Sequence, residues 1–139
     1  MKLFLDTSVL LAACGSARGS SRALFGHAPA QRWTLMASPW VVGEVVRNLP
    51  KFPLSATSDW LRLRPQLVLV DDVVSLNQAV VFPVSKDRPV LLTALAWSQV
   101  LLTLDAADFG GLLGSQFYGM PLLSPAEFLE SERSAGRLK

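Results

Sequence analysis

Cysteine and histidine each occur once in this chain of 139 residues, as Cys14 and His27. A single thiol excludes an intrachain disulfide and fits a reducing, cytosolic compartment. Cys14 reads as a small buried apolar residue. One histidine excludes a two-histidine acid–base mechanism, and beside one cysteine it excludes a Cys/His zinc cluster. Neither a GxxxxGK[ST] phosphate loop nor a GxSxG nucleophile elbow occurs. Long hydrophobic runs are missing too. Residues 89–104 carry no charge, but they fall short of the ~20 residues of a membrane span and contain Thr, Ser and Gln. LLAAC at 10–14 resembles a lipoprotein processing site, yet the apolar segment before it is short and split by Asp6.

Charge is scarce as well: 17% of residues are charged against 50% apolar, which suits a sheet covered on both faces. The formal net charge is only +2. If Asp6, Glu44, Asp87, Asp105 and Asp108 gather at one site, six of the 11 acids are left to face 13 Lys and Arg. The remaining surface is then basic and suits a polyanionic partner. The length fits one domain over residues 1–139, with a polar tail expected to fray from Arg133.

Strand-like apolar runs alternate with helical patterns. KLFL at 2–5 reads as a first strand, with Thr7-Ser8 able to cap a helix starting near Val9. Residues 15–31 show no clear pattern. A second strand is expected at 33–37. Ser38-Pro39 then opens a helix whose Val41, Val42, Val45, Val46 and Leu49 form a wide apolar face, ended by Pro50 and Pro53. A helix over 55–63, a strand at 67–70 and a short helix around 74–81 follow. Asp87 can cap a helix through Leu91, Leu92, Leu95 and Ala96, and VLLTL at 100–104 returns as a strand. Strand-like MPLL leads to Ser124-Pro125-Ala126-Glu127, a capping box for the last helix. This alternation predicts an α/β fold with a mostly parallel sheet.

In such sheets ligands bind at the carboxyl ends of the strands, where Asp6 and Asp105 each follow an apolar run. Singly, Asp87 and Asp108 also make sense as helix caps, and Glu44 as a solvated residue. Gathered together, the carboxylates repel one another unless a cation joins them. A hard divalent cation such as Mg²⁺ or Mn²⁺ takes oxygen ligands and serves phosphoryl chemistry.

The order FLDTSVLL, SPWVVGEVVRNL, KDRPVLLTALAWSQVLLTLDAADF, GMPLLSPAEFL resembles a PIN domain over essentially the whole chain. The resemblance implies a three-layer α/β/α sandwich and a Mg²⁺- or Mn²⁺-dependent endoribonuclease that hydrolyses RNA with metal-activated water. It implies Asp6, Glu44, Asp87 and Asp105 as the catalytic, metal-holding acids, supported by Asp108, Thr103 and Ser8. Many small members are toxins of the VapC type, dimeric and inhibited by a cognate antitoxin protein, so both a homodimer and an antitoxin are expected. The apolar excess, with Trp33, Trp40, Trp60 and Trp97, also suits a homodimer. Lys86, Arg88 and Arg47 flank the acids and are the candidate contacts to the RNA backbone. Two other functions compete. A haloacid-dehalogenase-like phosphatase needs a second aspartate where Ser8 stands. A catalytically inactive module, binding RNA or a protein, commonly lacks one or more of the acids that this chain keeps.

Overall fold

The computed structural model describes residues 1–74, 88–105 and 114–139, with the backbone alone for Arg88 and Pro89. A first strand, β1 (Lys2–Leu5), passes at Asp6 into helix α1 (Thr7–Gly15), followed by α2 (Ser20–Gln31) and β2 (Thr34–Ala37). Helices α3 (Pro39–Asn48) and α4 (Leu54–Leu63) lead to β3 (Val68–Leu69). After α5 (Arg88–Trp97) come β4 (Val100–Leu102), β5 (Gln116–Phe117), β6 (Met120–Leu123) and α6 (Pro125–Ser134). The strands form one sheet in the order β3-β2-β1-β4-β6-β5. Every pairing is parallel except the β5–β6 hairpin. With helices covering the sheet, the fold is a three-layer α/β/α sandwich of the expected class.

The central strands explain the continuous apolar runs. Leu3, Phe4 and Leu5 of β1 and Leu101 and Leu102 of β4 are fully buried, because strands covered on both faces have no outward side to make polar. Trp33 packs edge-on against Phe128 at 5.0 Å, tying the approach to β2 to α6. The capping box of α6 forms as expected: Ser124 Oγ accepts from Glu127 N–H, and Glu127 Oε1 accepts from Ser124 N–H.

Several expectations are corrected. Residues 20–31 form a helix whose buried face is Ser21, Leu24, Phe25 and Ala28, so two of its four inward positions are too small or polar to register as apolar. Helix α1 starts at Thr7, with Asp6 rather than Thr7-Ser8 in the cap position. On α3 the buried stripe is Val41, Val45 and Leu49, a narrow seam that leaves Val46 exposed. Strand β3 is shorter than expected and lies at the sheet edge. Ahead of MPLL stands the extra strand β5, joined to β6 through Tyr118 and Gly119, both at positive φ. The polar tail is packed against the body of the fold. Leu138 is buried, and Arg137 forks onto the buried Glu132 carboxylate at 2.5 and 3.3 Å.

Candidate active site

Strand order reverses at the β1/β4 boundary: β2 and β3 lie on one side of β1, β4 and β6 on the other. In an open α/β sheet this switch point forms the crevice where ligands bind. The residues that emerge there from β1 and β4 are Asp6 and the turn 103–105. Each continues its strand's ladder, with Asp6 N–H donating to Leu102 O and Thr103 N–H to Leu123 O, both at 3.0 Å.

Asp6 is 8% exposed and Thr103 is fully buried. The Thr103 hydroxyl donates to Asp6 Oδ2 at 2.9 Å and accepts from Asp105 N–H at 3.1 Å. Ser8 does the same one step away: its hydroxyl donates to Asp6 Oδ2 at 3.2 Å and accepts from Leu104 N–H at 3.0 Å. Two hydroxyls therefore lock one carboxylate oxygen and stitch the 103–105 turn to the first turn of α1. Ser8 and Thr103, both expected beside the acids, each hydrogen-bond Asp6, and Asp105, half-buried, is held through its own backbone.

Glu44 reaches this centre from α3. Its Oε1 accepts from the Thr7 hydroxyl at 3.0 Å, 37 residues away in sequence. Thr7 is a site residue that the sequence reading missed. Its position directly after Asp6, inside the first helical turn, is the only local signal for it, and the partner that gives it meaning is remote.

Burial pushes the Asp6 carboxyl up from 3.8 to about 6; the charge of Glu44 adds to this rise, while hydrogen bonds from Thr103, Thr7 N–H and Ser8 oppose it. Asp6 and Glu44 thus influence each other electrostatically with no ion pair to either among the described residues. The donors of this site are all oxygen, the set that suits a hard divalent cation and disfavours soft metals. Among the described residues no group of three or more His, Cys, Asp or Glu is placed to hold a metal ion.

Of the remaining expected residues, Lys86, Asp87 and Asp108, together with the short helix around 74–81 apart from Val74, lie outside the described residues. Arg88 opens α5, with only its backbone described. Arg47 is exposed on α3, on the helix that carries Glu44. The Ser38 cap is not as expected. Ser38 stands in the cap position without a side-chain bond, and Trp40 N–H is satisfied instead by the Asp72 carboxylate at 3.1 Å. Among the described residues no helix is long and apolar enough to cross a membrane.

No protein-family model matches the chain, and no curated protein matches it. The resemblance to PIN domains rests on the residues and their order alone.

Proposed function

We propose that the chain is a Mg²⁺- or Mn²⁺-dependent endoribonuclease with its centre at Asp6. The observation that supports this most is the Asp6 carboxylate at the β1/β4 switch point, buried, locked by two hydroxyls, within electrostatic reach of Glu44 and in no ion pair among the described residues. The resemblance assigns Asp6, Glu44, Asp87 and Asp105 to the divalent ion, with Asp108 beside them; Asp6, Glu44 and Asp105 are not placed to hold an ion by themselves, so this reading needs Asp87, which lies outside the described residues. When bound, the ion lowers the pKa of water and offsets charge on the phosphate.

The chain's own residues have distinct tasks in this reading. Ser8 and Thr103 keep one oxygen of Asp6 engaged, which leaves the rest of the carboxylate oriented toward the crevice. Thr7 holds Glu44 close to it, and Thr103 sets Asp105 through the backbone. Lys86, Arg88 and Arg47 would guide the RNA backbone. The same resemblance supports a homodimer restrained by an antitoxin protein, with exposed Leu54 and Leu61, seven residues apart on α4, available as apolar surface.

Incubation of the purified protein with single-stranded RNA and Mn²⁺ tests the central reading. Cleavage is expected, abolished by excess chelator and by Asp105→Asn. Equal cleavage in chelator would remove the metal-dependent mechanism, and no cleavage under any divalent ion would favour the inactive binding module. Light scattering that reports a monomer at micromolar concentration would remove the homodimer.

A further inference from the structure

Trp40, Gly43, Glu44 and Arg47 recur along α3 at spacings of three and four residues, so they share one face of the helix. Val41 and Val45 point into the core instead. The Trp40 indole is 46% exposed, although its backbone is anchored through the N–H to Asp72. Arg47 is exposed, and its guanidinium folds back along the helix: Nη1 lies 3.3 Å from where a Cβ on Gly43 would stand. Such a contact is tighter than nine in ten real Cβ contacts, so the bare Gly43 backbone makes a shelf for the guanidinium. Among the described residues Arg47 has no ion-pair partner. The face thus presents a flat aromatic surface and a planar cation one turn or two apart, and Glu44 between them reaches to Thr7 at the acidic centre.

We propose that this face of α3 is a docking surface for single-stranded nucleic acid, with Trp40 stacking on a base and Arg47 binding a neighbouring phosphate. The chemistry selects the single strand. An exposed indole can stack only on a base whose face is free, which duplexes withhold, and one guanidinium neutralises backbone charge without reading sequence. The strand would then run past Glu44 toward Asp6. This inference rests on the nuclease reading of the centre and adds the residues that receive the strand and its line of approach.

Fluorescence anisotropy of a labelled single-stranded oligoribonucleotide and its duplex, titrated with the full chain at low salt in chelator, tests it. The single strand is expected to bind more tightly than the duplex. Trp40→Ala is expected to weaken binding about tenfold while Trp40→Phe keeps most of it. Arg47→Ala should weaken binding and lower the salt slope by about one. Melting temperatures close to wild type would confirm that these surface variants fold. Unchanged affinity in Trp40→Ala and Arg47→Ala overturns the proposal, and it leaves the nuclease reading standing when chelator-sensitive cleavage persists. If wild type neither binds nor cleaves RNA, both readings fall. If Trp40→Ala alters only the mass seen by light scattering, Trp40 is a protein contact and the proposal is overturned.

Discussion

The Thr103 hydroxyl lies 2.9 Å from Asp6 Oδ2, joining residues 97 apart in sequence at the point where two parallel strands end. The same oxygen accepts the N–H of Asp105, so one buried hydroxyl serves a carboxylate and a turn at once. Thr103→Val keeps the shape and removes both bonds. It is expected to cost about 2 kcal/mol, since a part-buried N–H and a buried carboxylate oxygen each lose a partner. Thr103→Ser should recover most of that. Urea unfolding in chelator measures it, and a Val variant as stable as wild type would show that the bridge contributes nothing.

Asp6 itself should make the metal-free protein less stable as pH rises. Its folded carboxyl titrates at about 6, above the ordinary 3.8, so the native state binds the proton more tightly than the unfolded chain. Stability from this group is therefore full below about pH 4 and is lost as pH rises through about 6, by on the order of 3 kcal/mol in total. Asp6→Asn has no such titration. In chelator the variant is expected to gain on wild type across that window and to be the more stable protein at pH 7. Parallel stability curves for the two proteins would show that burial of Asp6 carries no such cost.

How much of this was legible follows from the range of each interaction. Buried parallel strands announce themselves, because Leu3–Leu5 and Val100–Leu102 need no polar side. The α6 capping box is contained in four residues and was readable for the same reason. Helix α2 was not, because Ser21 and Ala28 pack inward without a large apolar side chain. Asp6 and Asp105 stood out because each ends an apolar run. Thr7 did not, since its meaning depends on Glu44, 37 residues further along the chain on α3. The Asp72 cap of α3 is equally non-local: a carboxylate 32 residues downstream took the place of the adjacent serine.

Ser38 is the residue left over by that exchange. It is buried, and its Oγ has no hydrogen-bond partner among the described residues. At an ordinary cap position Ser→Ala costs about 1 kcal/mol because the cap bond is lost. Here no such bond exists and the orphaned hydroxyl carries a desolvation penalty of about 1–3 kcal/mol. Ser38→Ala is therefore expected to leave stability unchanged or raise it. A loss of about 1 kcal/mol in thermal or urea unfolding would show that Ser38 does cap α3.

Thr7 offers a way to separate the architecture of the site from its chemistry. Its hydroxyl is the one described hydrogen-bond donor to the Glu44 carboxylate. Thr7→Val preserves the β-branched shape in a half-buried position, so the metal-free melting temperature should change little. What should change is the response to Mn²⁺. A ligand carboxylate released from its supporting partner typically costs a site 10-fold or more in metal affinity. Since binding to the native state stabilises by RT ln(1 + [L]/Kd), a tenfold weaker site gains about 1.4 kcal/mol less at saturating Mn²⁺. The melting shift on adding Mn²⁺ should thus be smaller for Thr7→Val than for wild type, and Thr7→Ser, which keeps the hydroxyl, should restore it. Equal shifts in all three proteins would mean that Thr7 does not position Glu44 for the ion. If wild type itself shows no shift, the fault lies with the metal reading rather than with Thr7.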